Sequence, residues 1–115
     1  METNFNFKSQ PCTSIEQSER LLELGLKAET ADCIHYYFRE RGWRVLVLEK
    51  GQTAKHIDGV EIPAWSLGRL LELSYGDVHP NNVVSISAHN PFEYMIKTIE
   101  GFIKHQCFNK EYLEE

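Results

Sequence analysis

The clearest hydrophobic pattern in the chain lies towards its C-terminal end, where apolar residues recur at the spacing of one helical face. The residues on this face are Phe92, Met95, Ile96, Ile99, Phe102 and Ile103. Asn90 stands before them at a position suited to an N-cap, and Pro91 takes the first helical position, which needs no N–H donor. The pattern predicts an amphipathic helix that starts at Pro91 and buries its apolar face.

A second helical pattern covers residues 15–24, where leucines and an isoleucine form an apolar side and Gly25 is suited to end the helix. Two alternative capping boxes precede it, namely Thr13 with Glu16 and Ser14 with Gln17. Residues 28–33 are predicted to add a short helical turn.

A third pattern runs from residue 62 to residue 73. Pro63 disfavours helix in the residue before it, so the chain is predicted to enter extended. Ser66 is suited to cap a short amphipathic helix. Trp65 is predicted to pack near Leu70 as a hydrophobic staple, which would anchor this helix to the sheet.

Strand-like patterns occupy the middle of the chain. Residues 34–38 are rich in aromatic and branched side chains, and residues 43–48 alternate between two faces, with a turn predicted at 39–42. Apolar residues on both faces at the far end of 43–48 predict that this end is covered on both sides. Residues 83–88 predict a further strand.

The dipeptide Asp58-Gly59 lies between two short runs that contain apolar residues, 55–57 and 60–62. Both residues tolerate positive φ, which tight hairpin turns require. The sequence therefore predicts a small β-hairpin at this point.

The order of these elements predicts an α+β fold, in which a small antiparallel sheet of three to five short strands packs against about three helices. Residues 1–11 are predicted to be a polar N-terminal arm, and residues 12–115 a single α+β domain. A chain of 115 residues can bury a core of useful size without metals or disulfides.

Charge and cysteine content narrow the classes of function. The formal net charge of −5 opposes direct binding to a phosphate backbone, and the densest cationic group is interrupted by Glu40. Three widely spaced cysteines favour free thiols in a reducing compartment. The start of the chain lacks the features of a secretory signal, and no apolar run is long enough for a membrane span. The sequence therefore predicts a cytoplasmic protein.

Candidate catalytic chemistry is sparse. Cys33 and His35 are two residues apart on a predicted strand, so their side chains could share a face and form a nucleophilic pair. A buried cysteine beside a half-exposed histidine explains the pair more simply, and no other catalytic residue is indicated. The histidines and cysteines lack the close paired spacing of zinc sites, so no metal and no cofactor are predicted.

The aromatic and cationic residues around the predicted turn at 39–42 are the stronger candidate. If one face of the sheet is open, Tyr37, Arg39, Arg41 and Arg44 would form an interaction surface. Tyrosine and arginine are enriched at protein interfaces. A solvated face that carries an ordinary tyrosine is the alternative interpretation.

Several segments resemble a family of small uncharacterised proteins carried by phages and conjugative elements of gut Bacteroidetes. The segments that carry the resemblance are residues 12–18, 21–26, 29–32, 62–67, 70–73 and 90–91. The similarity spans roughly residues 12 to 105 and implies a mobile-element origin and a single α+β domain. It implies no activity, cofactor or catalytic residue.

These observations together favour a non-enzymatic accessory domain that binds a protein partner, with no direct contact to nucleic acid or membrane. Two alternatives remain open at the level of sequence. One is a small enzyme that depends on Cys33 and His35. The other is a component of nucleic-acid machinery or an acidic mimic of DNA. The sequence predicts neither the partner nor the oligomeric state.

Overall fold

A computed structural model describes residues 10–76 and 90–114. Within them lie three helices and three strands, which confirms the predicted α+β class. In chain order the elements are α1 (Ile15–Glu23), β1 (Cys33–Phe38), β2 (Gly42–Val47), β3 (Glu61–Ala64), α2 (Leu67–Tyr75) and α3 (Pro91–Lys104). Short 3-10 helices add Ala28–Thr30 and Lys110–Tyr112. The strand predicted at residues 83–88 and most of the predicted N-terminal arm lie outside the described residues.

The sheet has the strand order β2-β1-β3, and both pairings are antiparallel. A tight turn joins β1 to β2, in which the Arg41 N–H donates to the Phe38 carbonyl at 3.1 Å. Gly42 follows with φ +75°, a left-handed conformation that glycine adopts without steric cost. The predicted turn at 39–42 therefore includes the first residue of β2.

The turn predicted at Asp58-Gly59 is present, but the hairpin around it is not formed as expected. The Val60 N–H donates to the Ile57 carbonyl at 2.9 Å, and Gly59 has φ +76°. Residues 55–57, however, form only a single bridge, from Ile57 to Glu61. The segment after the turn pairs with β1 instead, because a central strand offers a longer hydrogen-bonding partner than this short run does.

The helix caps follow the sequence closely. Of the two alternative capping boxes, the structure forms the one in which Ser14 accepts from the Gln17 N–H and the Gln17 side chain accepts from the Ser14 N–H. Ser66 caps α2, and Asn90 caps α3 with Pro91 at its start. Thr13 is thereby free for a different role.

Thr13 joins the start of the described chain to the end of β3. Its N–H donates to the Trp65 carbonyl at 2.9 Å, and its hydroxyl accepts from the Trp65 N–H at 3.0 Å. The same hydroxyl lies 2.7 Å from the hydroxyl of Ser18. Thr13 is fully buried, so these contacts satisfy polar groups that water cannot reach.

The main core lies between one face of the sheet and the helices. Ile34 and Tyr36 of β1 face this core, where fully buried side chains pack together. Those side chains are Leu21, Trp65, Leu70, Met95, Ile96 and Ile99. Trp65 is fully buried in the same cluster as Leu70, as predicted, and it also donates its ring N–H to the Thr30 hydroxyl at 2.9 Å. No helix within residues 10–76 and 90–114 is long and apolar enough to cross a membrane.

Candidate functional site

The predicted Cys33–His35 pair lies on the face of β1 that points away from the main core. Alternation along the strand places both side chains on this face, as the spacing predicts. Cys33 packs with Cys12 and Ala64 in a small buried cluster. The pair therefore lies beneath the segment that precedes α1, where Cys33 is buried and His35 is half-buried.

The chemistry of this cluster favours thiols over thiolates. Burial raises the pKa of Cys33 to about 11, and the negative charge of Asp32 adds to the effect. Burial likewise raises the pKa of Cys12 to about 12. Since the thiolate is the nucleophilic form, both groups are poorly reactive near neutral pH.

The imidazole of His35 is engaged elsewhere. Its Nε2 lies 2.7 Å from the carbonyl oxygen of Thr13. A carbonyl only accepts, so Nε2 carries the proton and donates it to this bond. The arrangement ties β1 to the segment before α1 and favours a structural role for His35. Within the described parts of the chain, no three histidine, cysteine or acidic side chains come close enough to hold a metal ion.

The same sheet face is open at the hairpin end of β1 and along β2, where Val47 is the register partner of Cys33. Tyr37 pairs in register with Trp43, and their rings meet edge to face at 5.4 Å between centroids. Val45 and Val47 continue this face along β2. We call the four residues Tyr37, Trp43, Val45 and Val47 the hairpin face. Tyr37 is 43% exposed and Val47 is 74% exposed, so this face is largely open to solvent among the described residues.

The structure separates the predicted cationic residues. Arg44 pairs in register with Tyr36, which places it on the face opposite Tyr37. Its guanidinium Nη1 donates to the Trp43 carbonyl at 3.1 Å, at the outer edge of the sheet. Arg39 and Arg41 lie in the hairpin turn, where both are exposed. Of the four predicted residues, Tyr37, Arg39 and Arg41 therefore lie near one end of the hairpin, and Arg44 lies across the sheet from Tyr37.

The expectation that the far end of β2 is covered on both sides is wrong for the described residues. Leu46 is 40% exposed on one face, and Val47 projects from the other. The reason is the strand order, which places β2 at the edge of the sheet, where the helices do not reach it. An apolar pattern on two faces is typical of a buried strand, and nothing in it distinguishes an edge strand that is covered by another molecule.

Comparison of the chain with protein-family models, with curated proteins and with solved structures finds no match. The function is therefore inferred from the chemistry of the two regions just described. The cysteine cluster is closed and protonated, whereas the hairpin face is open, aromatic and flanked by arginines. The hairpin is the better candidate for a binding site.

Proposed function

We propose that this protein is a non-enzymatic domain that binds another protein through the outer surface of the β1–β2 hairpin. The resemblance noted in the sequence supports a role as an accessory protein of a mobile element, acting in the cytoplasm. The contacted surface would consist of the hairpin face together with the arginines of the turn.

The observation that carries this proposal is the concentration of exposed apolar side chains on one hairpin. Nine large hydrophobic residues are exposed among the described residues, and five of them belong to β1 and β2. These five are Tyr37, Phe38, Val45, Leu46 and Val47. Scattered exposed apolar residues are ordinary. Phe38 and Leu46 lie on one face of the two strands, whereas Tyr37, Val45 and Val47 share the hairpin face, and such a group on one face indicates a surface that another molecule covers.

The charge of the hairpin indicates the kind of partner. Arg39 and Arg41 flank Glu40 in the turn, and Arg44 lies beside them at the edge of β2. This local cationic group stands out in a chain whose formal net charge is −5. Arginines beside exposed aromatic rings favour a partner that presents carboxylates around an apolar centre.

The test compares two tyrosines of equal exposure. Tyr37 is 43% exposed on the hairpin, and Tyr94 is 45% exposed on α3. Tyr37→Ala should weaken the complex with a partner purified from the native host by about tenfold or more, the effect expected of an interface tyrosine. Tyr94→Ala should leave the affinity unchanged. Equal affinity of both variants, measured by calorimetry, would refute the hairpin as the binding surface.

A second variant separates the contribution of charge. Arg41→Glu reverses one charge of the turn and leaves the apolar side chains in place. If the partner is acidic, this variant should slow association and make it less sensitive to salt. An affinity that Arg41→Glu does not alter at low salt would contradict the proposed acidic partner.

A further inference from the structure

The outer edge of β2 carries a row of backbone groups that face away from the sheet. The Tyr37 N–H donates to the Val60 carbonyl at 2.8 Å, so the backbone N–H and C=O groups of the odd-numbered residues of β1 point towards β3. Just after β2, the Leu48 N–H donates to the Asp32 carbonyl at 2.9 Å. The backbone N–H and C=O groups of the even-numbered residues of β2 therefore point towards β1. Because the direction alternates along an antiparallel strand, the backbone groups of Trp43, Val45 and Val47 point outwards.

This edge has the features of a strand that pairs with another strand. Apart from Arg44, whose Nη1 donates to the Trp43 carbonyl at 3.1 Å, the side chains from Trp43 to Val47 are apolar on both faces, and Val45 and Leu46 are exposed by 38% and 40%. Proteins usually blunt free edges with proline, inward charges or bulges, because an open edge is a template for pairing. Pairing by strand addition would give the outward N–H and C=O groups of Val45 and Val47 partners, and it would set apolar side chains of the two chains side by side on both faces.

We propose that two copies of this chain associate through their β2 edges in an antiparallel pair, with Val45 opposite Val45 of the second copy. This pairing joins the two three-stranded sheets into one continuous sheet across a two-fold axis. It places Trp43 opposite Val47 of the second copy, an aromatic and β-branched pair that is favourable across strands. It does not depend on the partner proposed above, since it uses the backbone edge of β2.

Charge complementarity selects the second copy as the occupant and fixes the register. The turn end of β2 carries Arg41 and the other end carries Glu49, and both side chains are exposed. Centred on Val45, antiparallel pairing brings the Arg41 end of each copy to the Glu49 end of the other. Arg41 is the last residue of the hairpin turn and Glu49 lies two residues beyond β2, so opposite charges meet at both ends of the paired strands.

Neighbouring registers lack this complementarity. A pair centred on Arg44 would set two guanidinium groups directly opposite each other, which is unfavourable. A pair centred on Leu46 would set Trp43 opposite Glu49 of the second copy and leave Arg41 without a carboxylate. Only an even shift keeps outward backbone groups facing one another, so the Val45-centred pair is the best of these arrangements.

The first test measures mass and amide exchange of the full chain over a range of concentrations. Sedimentation should show a reversible dimer, and the amides of Val45 and Val47 should exchange more slowly as the concentration rises. Val45→Lys sets two lysines opposite each other and should weaken the dimer by about tenfold or more. Ile57→Lys is the matched control, because Ile57 is 44% exposed away from β2, and it should leave the dimer intact.

The second test addresses the register by charge reversal. Arg41→Glu and Glu49→Arg should each weaken self-association by roughly fivefold, because exposed charge pairs contribute little individually. An equal mixture of the two variants should form a heterodimer with wild-type strength, since every pair is then complementary. A monomer at millimolar concentration would overturn the proposal. So would a dimer that Val45→Lys does not weaken, or a mixture no stronger than its components.

Discussion

The two edges of the sheet differ in how far their outward backbone groups are covered. At the edge formed by β3, Pro63 has no N–H to offer, and the Glu61 N–H donates to the Ile57 carbonyl at 2.9 Å. Just beyond it, Trp65 exchanges hydrogen bonds with Thr13. Among the described residues, the edge formed by β2 has only the contact from Arg44 Nη1 to the Trp43 carbonyl, and no segment is paired along it. One sheet thus contains both a protected edge and an available edge, and only the available edge has the character of an interface.

Burial along β1 follows the same division. Cys33 and Ile34 at its start are buried, and Tyr37 and Phe38 at its end are exposed. The first residues of β1 pack beneath Cys12 and Thr13, whereas its last residues belong to the exposed hairpin. The buried contacts and the proposed binding surface therefore lie at different ends of one strand. Substitutions at the two ends should separate these properties, which the following predictions test.

The largest effect is expected at the protected edge. Trp65 is fully buried beside β3, so Trp65→Ala should lower the free energy of unfolding by about 3–5 kcal/mol through lost contacts and a residual cavity. Trp43→Ala on the open hairpin should cost clearly less, because Trp43 is only half-buried. Denaturant titration of both variants measures the difference. Equal losses of unfolding free energy in the two variants would contradict the distinction between a protected β3 edge and an open hairpin.

A smaller effect is expected from the hydroxyl of Thr13. Thr13→Val keeps the shape of the side chain and leaves the Trp65 N–H and the Ser18 hydroxyl without their partner. Loss of a buried partner should cost about 1–3 kcal/mol in the free energy of unfolding. Thr98→Val on α3 is the control, and it should change stability by less than about 0.5 kcal/mol. Equal losses of unfolding free energy in the two variants would contradict the proposal that the Thr13 hydrogen bonds stabilise the β3 edge.

A third prediction concerns pH and the helix that packs on the protected side. The Arg20 guanidinium Nη1 lies 2.8 and 2.7 Å from the two carboxylate oxygens of Glu93, and these hydrogen bonds lower the pKa of that carboxyl. A lowered pKa in the folded state gives a stabilisation that is present above the ordinary pKa of glutamate. That stabilisation is lost as the pH falls through the lowered pKa.

Since both side chains are partly exposed, the pair should contribute no more than about 1 kcal/mol. Glu93→Gln should therefore destabilise the protein slightly at pH 7 and have a smaller effect at pH 2. The measurement is the difference in unfolding free energy between the two proteins at each pH. A difference that grew on acidification would show the wrong sign for this ion pair.

The smallest effect is expected at the available edge. Val47 is 74% exposed, so Val47→Ser should change the unfolding free energy of the monomer by less than about 0.5 kcal/mol. The measurement is best made at low protein concentration, where self-association does not contribute. A loss above 1 kcal/mol under these conditions would mean that Val47 packs within its own chain.

Local chemistry made the helices predictable from the sequence. Ser14, Ser66 and Asn90 all cap the helices that their positions indicate, because a cap requires only a side-chain oxygen at one place in the sequence. The alternating patterns likewise located β1 and β2 to within a residue. The strand order was harder to predict from the sequence, because the segment after Gly59 had two possible partners. It pairs with the central strand β1.

The candidate site was only partly predictable for the same reason. The sequence placed Tyr37 on an interaction surface only on the condition that one face of the sheet is open, and Tyr37 is 43% exposed on such a face. Whether Tyr37 and Arg44 share a face could not be predicted from residue types alone, because it depends on the register between β1 and β2. Val45 and Val47 were missed altogether, because an apolar edge strand and a buried strand have the same sequence pattern.

The contact between Thr13 and Trp65 has a consequence for the order in which the chain folds. The β1–β2 hairpin closes over a three-residue turn, and such local structures form within microseconds. Thr13 and Trp65 are separated by 52 residues, so their junction must wait for a much larger loop to close. Until then the β3 edge has only its local protection, from Pro63 and from the Glu61–Ile57 hydrogen bond. We therefore expect a newly synthesised chain to be more prone to aggregation before this junction forms and completes the protection of the β3 edge.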